Sequence, residues 1–269
     1  MPYVKLKKSL GVGSPIRGLP SYQKPPVVEV VYAVIFSPLP KLTAAHTGIF
    51  WKSIEDKFPS VKQTQPIGAL PRDIWTTVPR IWYVSEDENT VVQVQNNRFV
   101  FNWRKVRADD VYPRFEVVES SFQENFSKFL SFLEEANLGG LDIRSFELSY
   151  INHIERMEKL SGPKSARLLF PDFRWQNRRN RFLPMPYHVF WNIQIELAGT
   201  GLLSVDLKSA TRNNDGQDIF VLELTASGDG RANENSDMHD WFLRAREGIV
   251  RGFADLTNER LQVELWGRE

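Results

Sequence analysis

The densest chemistry in the chain lies between Lys159 and Arg181. Lys164, Arg167, Arg174, Arg178 and Arg179 alternate there with Phe170, Phe173, Trp175 and Phe182, and Asp172 is the single acid among them. Arginine forks match phosphate oxygens, and aromatic planes stack on bases, so Arg167, Arg174, Trp175, Arg178, Arg179 and Arg181 have the ingredients of a single-strand nucleic-acid contact. The competing reading is an ordered connector whose rings anchor it to a core while its arginines pair with acids elsewhere. A second constellation is looser. Arg98, Asn102 and Arg104 alternate on one strand, Arg114 follows at a helix start, and His153 lies on a later strand, a set that would suit a cleft between two lobes.

Other chemistries leave no trace. A phosphate-cradling Gly-rich loop with its lysine is absent, and so is a Gly-x-Ser-x-Gly nucleophile elbow. His46, His153, His188 and His239 are far apart and none has metal-ligand spacing with another, so neither a metal nor a cofactor is expected. Strand alternation puts His153 on one face with Glu147, Ser149 and Ile151, and Asn152 on the opposite face. A lone histidine without a base or an orienting partner reads as structural. Asp240, beside His239 at a helix start, reads as a charge interacting with the helix dipole. Glu134 and Glu135, near a helix end, read as solvated.

Composition bounds the class. The 269 residues are 42% hydrophobic and 25% charged, enough to bury a sizeable core. With no cysteine there is no disulfide framework, thiol nucleophile or thiolate metal site, which suits a reducing cytoplasm. No apolar run follows Lys5, Lys7 and Lys8, so neither a signal sequence nor a membrane span is expected. A formal charge of +1 leaves any polyanion site to a local patch.

Period and punctuation then supply the elements. Residues 1–24 read as an extended arm, interrupted by Gly11, Gly13, Pro15, Gly18 and Pro20. Val27 to Phe36 is a core strand, and Leu42, Ala45, Ile49, Phe50, Ile54 and Phe58 mark an amphipathic helix of about four turns. Short strands are expected at 61–67, 80–85, 90–95 and 98–104. The last two form a hairpin through Asn96-Asn97, residues that tolerate the positive φ a two-residue turn asks for. Val92, Val94, Phe99, Phe101 and Trp103 point to the core, and Gln93, Gln95, Arg98, Asn102 and Arg104 point away. A helix over 114–137, with Leu130 on its inner stripe, and a strand at 143–154 complete a first lobe, 25–155. Residues 156–187 read as a long basic and aromatic connector, suspiciously long for a structureless loop. Strands at 188–197, 202–210 and 219–226 form a meander with polar outer positions. A helix marked by Trp241, Ala245, Ile249 and Phe253 follows, and Thr257 caps a last short one, so that 188–269 is a second lobe. The class is α+β, with two antiparallel-sheet lobes, each covered by helices, and a C-terminal helix.

Four stretches taken in order carry a resemblance: Pro25-Pro26-Val27-Val28-Glu29-Val30; Phe101-Asn102-Trp103-Arg104 with Tyr112-Pro113-Arg114-Phe115; Tyr150-Ile151-Asn152-His153; and His239-Asp240 through Phe253, Leu256-Thr257 and Trp266-Gly267. The chain resembles a sporadically distributed bacterial and archaeal family of conserved hypothetical proteins with no established activity. That distribution is similar to that of mobile or defence-associated genes, which implies a partner-binding or antiviral role by analogy. The sequence thus supports a cytoplasmic, non-enzymatic binding or accessory protein that contacts a protein partner, a second copy or a nucleic acid through residues 159–182 and its polar sheet faces. The alternative is an enzyme of unknown reaction, with its site in the cleft between lobes.

Overall fold

The structure, a computed structural model, describes residues 18–67, 79–156, 162–173, 182–184, 186–230 and 238–269. Its strands are β1 (Val27–Phe36), β2 (Ser60–Thr64), β3 (Arg80–Val84), β4 (Thr90–Gln95), β5 (Arg98–Arg104), β6 (Ile143–Glu155), β7 (Phe190–Leu197), β8 (Gly201–Thr211) and β9 (Asp218–Asp229). Its helices are α1 (Ala44–Lys52), α2 (Phe115–Glu135), α3 (Gly162–Leu169), α4 (Met238–Leu256) and α5 (Glu259–Trp266). No helix is long and apolar enough to cross a membrane among the described residues.

The protein is α+β with an antiparallel sheet and a C-terminal helix, as its patterning leads one to expect. The strands of the two halves run as one nine-stranded sheet in the order β2-β3-β4-β5-β1-β6-β9-β8-β7. Each half opens on a strand, passes through a helix, makes a meander whose last strand returns beside the opening one, and ends on a long helix. The opening strands β1 and β6 pair with each other, Val30 opposite Tyr150 and Tyr32 opposite Leu148, and so form the seam between the halves. An extra residue in β1 at Val28 shifts the register between Val27 and Glu29.

All five helices described lie on one side of the sheet. The row Tyr83, Val92, Phe101, Tyr32, Leu148 and Ala226 is paired position by position across six strands. On that side Phe50 of α1 meets Tyr83 edge-on at 5.5 Å, and Phe122 of α2 stacks on Tyr32 at 4.9 Å. Phe170, just past α3, meets Phe220 at 5.8 Å, and Phe242 of α4 packs on Tyr32 at 4.9 Å. Each such fully buried ring contributes about 1.5–3 kcal/mol by leaving water. Helix α5 packs behind α4 through Trp266 on Phe253.

Several local expectations need correction. The helix begun at Leu42 is regular only over Ala44–Lys52; Leu42, Ile54 and Phe58 are buried from the flanking turns, and Ile49 is 58% exposed. Leu130 is likewise exposed on α2, because the stripe that meets the sheet runs through Val118, Phe122, Phe126, Phe129 and Leu133. The Asn96-Asn97 turn forms without positive φ at either residue. Its two carbonyls instead accept from Leu39 and Phe36, so the chain leaving β1 holds the turn in place. The 156–187 connector contains α3, whose Ala166 and Leu169, with the following Phe170, are fully buried. Asn258, not Thr257, caps α5 by accepting from the Leu261 N–H; the Thr257 hydroxyl bonds back to Phe253. The end of the expected arm is not loose: Tyr22 is buried, bridges to Arg268, and its hydroxyl donates to Gln262.

Candidate functional site

The sheet has two very different sides, and the residues singled out for chemistry divide between them. On the side away from the helices stand Arg98, Asn102, Arg104 and His153. Arg114 lies on the helix side. Arg167 is exposed on α3, while Arg174, Trp175, Arg178, Arg179 and Arg181 lie outside the described residues.

The helix-free face is polar in a patterned way. Across β3, β4 and β5, Trp82 is opposite Gln93 and Gln95 is opposite Arg98. The guanidinium carbons of Arg80 and Arg104 lie 5.3 and 5.8 Å from the centre of the Trp82 ring, within cation–π range. Arg104 also donates from Nε to the Glu88 carbonyl at 2.8 Å, and Arg80 donates to the Thr64 hydroxyl. None of Arg80, Arg98 and Arg104 has a carboxylate within ion-pair distance among the described residues. Burial, with Arg98 nearby, lowers the pKa of Arg80, and burial lowers that of Arg98 against the opposing pull of Glu147. Three polar atoms here are shielded and have no partner: Trp82 Nε1, Gln93 Oε1 and Arg98 Nε.

Beside this basic rim runs a network of short hydrogen bonds. Gln93 donates to Asn102 at 2.6 Å, and Asn102 donates to the Glu29 carboxylate at 2.5 Å. Burial pushes the Glu29 carboxyl up, opposed by the Asn102 bond and Arg104 and reinforced by Glu223. Further along the same face Glu29, Ile151, Glu223, Asp206 and Asn192 are paired in one row across five strands. The face is therefore basic over β2–β5 and acidic over β1, β6, β9 and β8, a separation that the near-zero net charge conceals.

His153 sits on this face opposite Val221, and its pKa is lowered by burial and by Arg212. Among the described residues no side-chain bond orients it. The other histidines are placed separately: His46 at the start of α1, His188 against Tyr187, and His239 2.7 Å from Glu119. No group of three His, Cys, Asp or Glu side chains that could hold a metal ion is present among the described residues.

On the helix side a cavity of about 280 Å³ opens where the two halves meet, under the start of α2 and the end of α4. Pro25, Pro26 and Val27 of the first stretch, Tyr112, Arg114 and Phe115 of the second, Tyr150 and Asn152 of the third and Phe253 of the fourth all line it. Of the residues proposed for an inter-lobe cleft, only Arg114 is here. Tyr112, Tyr150, Asn152 and Arg246 were not recognised as site residues from the sequence. The one signal that could have found them was that the four resembling stretches, scattered over 240 positions, had to meet somewhere.

Neither the known protein families nor the characterised proteins contain a match to this chain. The resemblance of the four stretches rests on their residues alone.

Proposed function

We propose that this is a non-enzymatic binding protein that holds a single-stranded nucleic acid against the basic rim of its helix-free sheet face. The observation that supports the reading is the set of three arginines around Trp82, Arg80 and Arg104 against the ring and Arg98 beyond, with no carboxylate paired to any of them among the described residues. Guanidiniums held against an indole keep their outer N–H edges free, and those edges fit phosphate oxygens as forks. Val91, Gln93, Gln95, Val100 and Asn102 of this face are buried, so a bound strand would contact the half-buried Arg80, Trp82, Arg98 and Arg104 and not the middle of β4 and β5, while the acidic residues over β6–β9 repel its backbone. An accessory role in a mobile or defence-associated module is the wider setting that the resemblance supports.

Fluorescence anisotropy of labelled twenty-nucleotide oligo-dT and oligo-U at low salt tests the reading. Replacing Arg80, Arg98 and Arg104 together with Gln should weaken binding by orders of magnitude. It should also flatten the log–log salt dependence by about 2, since each single-strand phosphate contact contributes about 0.7. The same assay on a chain with Gln at 174, 178, 179 and 181 measures the connector's share. Absence of saturable binding by the parent protein to single strands ends the proposal, and selective binding to duplex instead redirects it. Failure with every nucleic acid would turn the search to an acidic protein partner for the same face.

A further inference from the structure

The cavity under the α2 N-terminus is separate from the sheet face, and its chemistry is that of a small-molecule site. Its walls are mainly apolar, with Leu19, Pro25, Phe115, Ile249 and Phe253 among them. Into this apolar space converge two tyrosine hydroxyls, from Tyr112 and Tyr150, which lie 3.1 Å apart. Among the described residues these two hydroxyls bond only each other, a single hydrogen bond, so one of their two protons has no acceptor there. Either hydroxyl can be the donor, so the spare proton belongs to half-buried Tyr112 or to Tyr150, 6% exposed, and both residues line the cavity. Such an unpaired buried donor is costly unless something else accepts from it.

The charges around the cavity indicate what accepts. Arg114 is the residue before the first turn of α2, it has a left-handed φ of 77°, and it supplies no side-chain cap. The leading N–H groups of this 21-residue helix are therefore without a side-chain acceptor at Arg114, and the helix end carries partial positive charge. The Arg114 side chain donates to the Tyr22 carbonyl at 2.8 Å, which holds the 19–22 segment as one wall. Arg246 lies 4.3 Å from the centre of the Phe115 ring and 3.0 Å from Glu116, whose own side chain is two-thirds exposed. Two guanidiniums, a helix N-terminus and a hydroxyl proton thus surround one apolar space whose lining contains one carboxylate, the solvated Glu116, with Glu119 and Asp255 further out.

We propose that this cavity binds a small carboxylic acid with an apolar body. The carboxylate accepts from the free tyrosine hydroxyl and lies against Arg114, Arg246 and the start of α2, and the body fills the space between Pro25, Ile249 and Phe253. A volume of 280 Å³ holds about nine water-sized groups at ~30 Å³ each, which sets the size at roughly ten non-hydrogen atoms. Burial pushes the Tyr112 hydroxyl up to about 12 and raises Tyr150 well above the ordinary value, so both stay protonated donors at neutral pH.

Phenylacetate matches this size, and phenylacetamide is the same shape without charge. Calorimetric titration of the full chain should give saturable, one-to-one binding of phenylacetate, with phenylacetamide at least about tenfold weaker, as the loss of charge-assisted bonds implies. Arg246→Gln should weaken phenylacetate by about tenfold and leave phenylacetamide nearly unchanged, whereas Tyr150→Phe removes a hydroxyl from which either ligand's oxygen can accept and so does not separate the two. Equal affinity for the acid and the amide overturns the proposal, as does the absence of saturable heat at millimolar phenylacetate. The comparison of the two probes on the parent protein decides the matter even where a variant fails to fold. Since Arg80, Arg98 and Arg104 stand on the opposite side of the sheet, their replacement should leave phenylacetate binding untouched.

Discussion

Glu29 shows that the face a strand residue occupies does not decide how exposed its side chain is. Alternation puts it on the helix-free face with Arg104 opposite, yet its carboxylate is largely shielded and bound by Asn102. Its pKa is raised by that burial. A carboxyl that holds its proton more tightly folded than unfolded favours the native state at low pH, and that contribution is lost as pH rises through its folded pKa. Glu29→Gln keeps an acceptor oxygen for Asn102 and removes the charge. It should therefore equal or exceed the parent in stability at pH 7, with the difference shrinking as the pH is lowered through the carboxylate range. Urea midpoints at pH 7 and pH 4 check this, and a variant less stable than the parent at pH 7 would contradict it. The sequence made Asn102 legible as an outward residue. It could not show that Gln93 and Glu29 converge on it, because they arrive from two other strands. For the same reason Arg114 could be named but not located: its neighbours in space, Tyr22 and Tyr150, lie 92 and 36 positions away.

At the scale of elements, whatever is local in sequence is legible. Strands β4 and β5 fall where the alternation of Val92, Val94, Phe99 and Phe101 puts them, and α4 buries the expected Trp241, Ala245, Ile249 and Phe253. Helix α3 was missed because it has eight residues and only three apolar anchors, Ala166, Leu169 and the adjoining Phe170, among basic neighbours. A stripe that short has no periodicity to detect. Its importance to the fold can be measured. Phe170 is fully buried against Phe220, so Phe170→Ala should cost about 3–5 kcal/mol, whereas Arg167→Gln on the exposed side of the same helix should change stability by less than about 0.5 kcal/mol. Chemical denaturation separates these outcomes. Equal effects would mean that α3 is docked by its charges instead of its apolar side.

For the molecule as a whole, what no periodicity could supply is which strand lies beside which. The meanders β3-β4-β5 and β7-β8-β9 join neighbours in sequence, but the seam pairs Val30 with Tyr150, and β1 reaches β5 by pairing Tyr32 with Phe101. Contacts so distant must overcome the entropy of closing long loops, and they form late. Refolding from urea should show at least two phases, with dye-binding apolar surface rising before the slow one completes, as in chains above about 150 residues. A single exponential without that rise would refute it. The seam also matters on the ribosome. When β1 has emerged, one of its edges can be completed by β5, but the other has no partner until β6 is made, 107 residues after Phe36. At about 5–20 residues per second that edge, flanked by Val30, Tyr32 and Val34, stays open on the nascent chain for roughly 5 to 20 s. For that interval a chaperone, or a second nascent chain on the same message, can reach the strand that later lies at the centre of the finished sheet.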